Sequence, residues 1–229
     1  MIDISILQKN VLFKGLTVNE IKTIIDAGGY SLRQYPKGST LAVEGEPCDH
    51  MGIIIGGVIE VQSTFASGKV IIINHLQPSE TYGEAVLFSS TACFPATLYC
   101  PAACEIVIIQ RSQLRVTLHT NHIIMENFLG LLSDRLLAIN RRIKLLSLET
   151  LRKRVAAYLL EESKNQKKIL SFNTGVSREQ MSRLLNVQRP SLSRELSLMQ
   201  EEGLLRYNKD YFELVDIDAL IEIVTESMS

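Results

Sequence analysis

From Gln188 to Arg194 this 229-residue chain carries Gln188, Arg189, Ser191, Ser193 and Arg194, residue types able to grip a nucleic acid. A guanidinium fork can meet O6 and N7 of one guanine with two parallel hydrogen bonds, and a serine hydroxyl can meet a phosphate oxygen. That chemistry requires the five side chains to stand on one helix, whose N-terminal N–H groups add donors for phosphate. Pro190 fits there, because a residue in the first helical turn has no intrahelical acceptor to lose. Leu192, Leu196 and Met199 recur at helical spacing on the inner side, and Gly203 ends a helix predicted over about 188–202.

A second helix must precede it. Ser177-Arg178-Glu179-Gln180 has the form of a capping box, in which the Ser177 hydroxyl and the Gln180 side chain satisfy each other's backbone N–H groups. Met181, Leu184 and Leu185 give that helix an apolar face, Asn186 tolerates a left-handed conformation, and Val187 closes the turn. Leu204 to Tyr207 and Tyr211 to Leu214 read as two strands around Asn208-Lys209-Asp210, a wing. The charges agree locally: Arg152 to Arg194 holds ten basic residues (Arg152, Lys153, Arg154, Lys164, Lys167, Lys168, Arg178, Arg183, Arg189, Arg194) against Glu161, Glu162 and Glu179, within a chain of net charge −1. A helical hairpin with solvated arginines is the plainer alternative. The capped helix, tight turn, Arg-rich helix and wing together favour double-stranded DNA.

Upstream, Leu151 to Glu162 is amphipathic on Val155, Leu159 and Leu160, and Lys164 to Lys168 reads as a polar loop. Before it, Met125, Leu129, Leu132, Leu136, Ile139, Ile143 and Leu146 recur at separations of four and three, a heptad seam that predicts a long helix over about 119–147; such a helix can pack on its own barrel or on a parallel coiled-coil partner, and both at once are expected, the second making a homodimer. Phe128, Leu131 and Leu137 form a second apolar stripe. Arg135 and Arg142 fall at flanking positions, where Arg135 is expected to be solvated rather than turned inward. Tyr30 to Gln110 is β-type, with runs Met51–Ile55, Val58–Gln62, Val70–Asn74 and Glu105–Ile109 separated by Gly- and Pro-containing turns. The predicted fold is α+β: an N-terminal jelly-roll barrel and long helix over 1–147, then a winged helix-turn-helix over 148–229.

Other chemistries fit poorly. His50 and His75 are isolated, and His119 with His122 forms an H-x2-H pair that lacks the further ligands of a cupin-type metal enzyme. Cys48, Cys93, Cys100 and Cys104 contain no CxxC, and Cys100-Pro101-Ala102-Ala103-Cys104 reads as small buried residues around a turn. No apolar run is long enough for a membrane span, and MIDISILQKN lacks the pattern of a signal peptide, so a cytoplasmic protein without catalytic residues is expected. A ligand-binding barrel acting through protein contacts rather than DNA stays open as an alternative.

SREQMSRLLNVQRPSLSRELSLMQEEGLL resembles the helix-turn-helix of the Crp/Fnr superfamily of bacterial regulators, YPKGSTLAVEGEPCDHMGIIIGGVIEV its barrel, and YGEAVLF its effector-binding segment. The resemblance implies a dimer on palindromic DNA that works with RNA polymerase. It further implies that Arg189 and Arg194 contact bases, and that Arg178, Ser191 and Ser193 lie at or near phosphate. Pro190 stands where many members have a base-contacting glutamate, which implies a different operator. The effector site by resemblance comprises Gly83, Glu84, Ala85, Phe94, Pro95, Arg135, Ile139 and Asn140. Phe94-Pro95 replaces the Arg-Ser pair that holds a cyclic phosphate, and Ile139-Asn140 replaces the Thr-Ser that meets adenine. Cyclic AMP is therefore not expected as the effector. Phe94 is expected to make the pocket mouth apolar, leaving a haem or a small apolar ligand open, and Gly83 and Glu84 are read as a tight turn and a cap.

Overall fold

The computed structural model describes residues 3–65, 67–167 and 169–225, which form two compact units, one up to Arg135 and one from Leu136 on. In the first, α1 (Ile4–Leu7), a 3-10 turn (Val11–Phe13) and α2 (Val18–Asp26) precede eight strands: β1 (Tyr30–Tyr35), β2 (Thr40–Ala42), β3 (His50–Gly56), β4 (Ile59–Thr64), β5 (Val70–Leu76), β6 (Thr81–Tyr82), β7 (Thr97–Tyr99) and β8 (Cys104–Gln110). They form two four-stranded sheets, β1-β8-β3-β6 and β2-β7-β4-β5, antiparallel throughout, as a jelly roll requires. All four predicted runs are strands. β3 and β8 read as near-continuous apolar runs because they are central in their sheet, and Met51, Ile53, Ile54 and Ile106 to Ile109 pack into one core with Phe13, Leu87 and Phe94. The strands β2, β6 and β7, of two or three residues each, are too short to be found by pattern.

Two helices follow the barrel, where a single one is predicted from about residue 119. α3 (Arg111–Thr120) stops at Asn121, which adopts extended backbone, and the Asn121 side chain accepts from Ile124 N–H at 3.1 Å to start α4 (His122–Leu146). Ile124 and Phe128 are buried in the barrel core and Leu132 packs against it, whereas Met125, Leu129, Leu136, Ile139 and Ile143 are exposed. Leu137 is exposed as well and does not continue the stripe begun by Phe128.

The second unit contains the end of α4, then α5 (Leu151–Asn165), β9 (Ser171–Asn173), α6 (Arg178–Leu184), α7 (Arg189–Glu201), β10 (Leu205–Asn208), β11 (Tyr211–Leu214) and α8 (Ile217–Thr225). α5 runs further than predicted. Lys164 and Asn165 belong to it rather than to a loop, since Gln166 N–H still donates to the Glu162 carbonyl at 3.1 Å, while Lys168 lies outside the described residues. The wing gains a third strand, order β10-β11-β9, with Phe172 opposite Phe212. Val155, Leu159, Met181, Leu185, Leu192, Leu196 and Met199 form its core with Phe212 and Leu220.

Candidate DNA interface and barrel site

The helix-turn-helix is built as its residues dictate. Ser177 Oγ accepts from Gln180 N–H at 3.2 Å and Gln180 Oε1 accepts from Ser177 N–H at 2.7 Å, closing the capping box of α6. Asn186 takes φ 52°, the left-handed conformation that lets the chain reverse, and Val187 N–H donates to the Ser182 carbonyl at 3.0 Å. α7 starts at Arg189 with Pro190 in its first turn, and Leu192, Leu196 and Met199 are fully buried. Burying that face turns the other outward. Gln188, Arg189, Ser191 and Arg194 are exposed and Ser193 half-buried, and neither Arg189 nor Arg194 meets an acid among the described residues. The Gln188 side chain makes no capping bond, so the first N–H groups of α7 have no side-chain acceptor at its N-cap. A groove of about 640 Å³ is lined by Ser177, Arg178, Gln180, Arg189, Ser193 and Lys209.

Not all of the basic segment is free to meet a polyanion. Arg152 is bidentate to Glu202 at 2.7 and 2.8 Å and donates to Glu195 at 2.7 Å, which clamps α7 to α5. Arg154 donates to the Leu148 and Leu185 carbonyls, and Arg183 pairs with Glu179 at 3.3 Å. Sequence counting missed these roles because the carboxylate partners of Arg152 lie more than forty positions away. Arg178 is drawn toward the wing: its guanidinium lies 4.9 Å from the Tyr207 ring centroid and 5.4 Å from that of Phe212, and Nη2 donates to the Lys209 carbonyl at 3.0 Å. Burial and the nearby Arg189 charge hold its pKa below the ordinary arginine value.

In the barrel, Gly83 has φ 84°, and a β-carbon there would come within 2.7 Å of the His50 carbonyl oxygen, so the tight turn demands glycine. Glu84 is not a cap. Its side chain is fully buried and ion-paired with Arg135 of α4, whose Nη2 also donates to the Thr81 carbonyl and hydroxyl at 3.2 Å each. Arg135 is thus turned into the barrel, contrary to its expected solvation, because a buried carboxylate without a cation would be far more costly than one held arginine. Glu84 Oε2 and the Tyr82 hydroxyl, both buried, have no hydrogen-bond partner among the described residues. Phe94 does not stand at a pocket mouth: it is buried, with ring centroids 5.8 Å from His50 and 6.4 Å from Tyr82. Ala85 and Pro95 are exposed, and so are Ile139 and Asn140, on the part of α4 that belongs to the second unit.

The remaining candidates are quiet. Burial raises the Cys48 thiol, and burial together with the adjacent Cys104 pushes Cys100 up to about 12, so both are protonated at neutral pH. His119 and His122 are exposed, and no cluster of three or more His, Cys, Asp or Glu suited to a metal occurs among the described residues. No helix among them is long and apolar enough to cross a membrane.

Residues 32–121 match the cyclic nucleotide-binding domain family, and residues 153–223 match the Crp-like helix-turn-helix domain family. The chain is 24% identical over 216 residues to the cyclic AMP receptor protein of Thermus thermophilus, covering 93% of this chain and 95% of the relative. It is 24% identical over 177 residues to the cAMP-activated global transcriptional regulator CRP of Pasteurella multocida, covering 76% and 85%. Its fold is similar to that of the Thermus thermophilus catabolite activator protein, with a TM-score of 0.55, 24% identity, and 94% and 98% of the two chains covered. With a matched barrel, a matched helix-turn-helix and full-length relatives in the same order, the chain belongs to the Crp/Fnr family of DNA-binding transcription regulators.

Proposed function

We propose that the chain acts in the cytoplasm as a homodimer on a pseudo-palindromic double-stranded DNA operator, recruiting or blocking RNA polymerase, with residues 1–147 as sensor and 148–229 as DNA-binding module. α7 enters the major groove. Arg189 and Arg194 read guanines, Gln188 supplies a further base contact, and Ser191 and Ser193 with the N-terminus of α7 hold phosphates. The observation that carries this is the exposure of Arg189 and Arg194 on the outer face of a helix whose inner face is fully buried, with no acid of the described residues to neutralise them. The two exposed halves of the α4 seam pair in the dimer and space the two α7 helices for half-sites about 10 bp apart. Fluorescence anisotropy against a library of palindromes tests it: a sequence preference that vanishes in Arg189→Ala supports the reading, and binding that ignores sequence in both proteins overturns it.

For the barrel, the effector site centres on Glu84, Arg135 and Tyr82, with Gly83 and Ala85 shaping its turn. The Pasteurella multocida relative is a cAMP-activated regulator and the Thermus thermophilus one a cyclic AMP receptor protein, but here, by the resemblance, the aromatic cluster of His50, Tyr82 and Phe94 stands in the region where a cyclic phosphate would need a cation. An anion leaving water must have its charge met, and Phe94 and Pro95 offer nothing to meet it. The signal is accordingly another ligand able to use a buried carboxylate and a phenol, and not cyclic AMP.

A further inference from the structure

A cavity of about 590 Å³ opens where β8 passes into α3, lined by Asp49, Thr91, Cys93, Arg111, Ser112 and Arg115. Its size is that of a small-molecule site. The local sequence makes it cationic. The first turn of α3 holds no acidic residue, and its N-cap, Gln110, makes no side-chain bond, so that turn has no side-chain acceptor at its cap. Arg111 donates from Nη2 to the Cys48 carbonyl, and its Nε is buried without an acceptor among the described residues. Arg115 lies one helical turn further along the same face and is exposed. Neither guanidinium pairs with a carboxylate among the described residues, and Asp49, the acid of the cavity wall, has its Oδ1 2.8 Å from Nδ1 of His50.

We propose that this cavity binds a phosphomonoester carried on a small hydroxylated body, of the sugar phosphate class, at a site separate from the DNA interface and from the effector site and depending on neither. Charge argues for the phosphate. A phosphomonoester brings nearly two negative charges at neutral pH and three acceptor oxygens. Arg111 and Arg115 bring two cations without a counter-charge, each a planar fork whose donors match phosphate oxygens. A single carboxylate would leave one of them unmet. Ser112 and the start of α3 add neutral donors of the kind helix N-termini offer to phosphate. Volume argues for the body, since an inorganic phosphate fills only a small part of the cavity. The wall beyond the arginines carries the Thr91 hydroxyl and the Asp49 carboxylate, which suit ligand hydroxyls and would be left unmet by an apolar ligand.

Cys93 gives the test a local reporter, because it is part-exposed on the cavity wall while Cys48, Cys100 and Cys104 are buried. The full chain is alkylated with N-ethylmaleimide, an uncharged reagent, at constant ionic strength, and the peptide carrying residue 93 is followed by mass spectrometry. Ribose 5-phosphate should slow the reaction several-fold and saturably, and its phosphorus-31 resonance should broaden on titration with protein; ribose should do nothing. In Arg115→Gln the concentration for half protection should rise about tenfold or more, with an unchanged melting temperature, since an exposed charged donor is lost. Arg111→Lys, which keeps the charge and loses the fork, should raise it as well. Unslowed alkylation with an unbroadened resonance would overturn the site. Broadening without protection of Cys93 would assign the phosphate to the arginines of the DNA interface and overturn it too. Protection that survives unchanged in both variants would place the anion away from Arg111 and Arg115, with the same result. Half protection by inorganic phosphate at the same concentration as by ribose 5-phosphate would overturn the hydroxylated body.

Discussion

The Arg178 guanidinium lies 4.9 Å from the centroid of the Tyr207 ring and reaches past it to the carbonyl of Lys209 at the wing tip. A cation over an aromatic face, partly removed from water, contributes about 0.5–2 kcal/mol, and a charge-assisted hydrogen bond adds to it. Arg178 therefore holds the wing against the first helix of the motif. Arg178→Ala should lower stability by about 1–2 kcal/mol, read as a drop in melting temperature of a few degrees, and weaken all DNA sequences alike. An unchanged melting temperature together with a salt dependence of binding shallower by about one ion would make Arg178 a plain phosphate ligand instead.

Arg189 and Arg194 should behave differently. Each change to alanine is expected to cost about 1–3 kcal/mol of specific binding and to relax base preference at one operator position, while nonspecific affinity falls only slightly. Both are exposed, so melting curves should be unaffected. Competition binding against single-base operator variants reads the effect directly.

The Glu84–Arg135 pair predicts an asymmetry. Arg135→Ala leaves a fully buried carboxylate without its cation, whereas Glu84→Gln leaves a part-exposed arginine that can turn to water. The first should cost about 2–3 kcal/mol, less than a wholly buried pair because water screens one partner, and the second about 1 kcal/mol. Denaturant titration of the two variants checks the order; equal losses would mean that the buried Glu84 does not depend on Arg135 for its charge.

Cyclic AMP should neither bind the purified protein at micromolar affinity nor enhance its DNA binding. Phe94 is packed among His50 and Tyr82, and in the effector site proposed above it stands where a phosphate receptor would be needed. Isothermal calorimetry with one saturable site per chain would reverse this conclusion.

Charge placed in the α4 seam should dissolve the dimer. Leu136→Glu and Ile139→Glu each bury a carboxylate in the proposed interface without a partner, and light scattering should show monomers that bind an operator at least 100-fold more weakly. A variant that stays dimeric and keeps its operator affinity removes the seam from the interface.

Local signals determined much of this protein. The capping box at Ser177 and Gln180, the left-handed Asn186, Pro190 in a first turn and the 3.6-residue spacing of Leu192, Leu196 and Met199 act within a few residues, so the helix-turn-helix and its outward arginines were legible without coordinates. The long helix was legible from its heptad spacing, and the long strands from short apolar runs bounded by turn residues. What only the tertiary structure decided are contacts between residues distant in sequence: Arg135 on Glu84 across 51 positions, Arg152 on Glu195 and Glu202, Arg178 under Tyr207, and Phe94 inside the barrel rather than at its rim. Helical spacing places Arg135 beside the seam but does not say which way a long side chain turns. That was settled by the cost of leaving Glu84 buried without a cation, a quantity that exists only once the chain is folded.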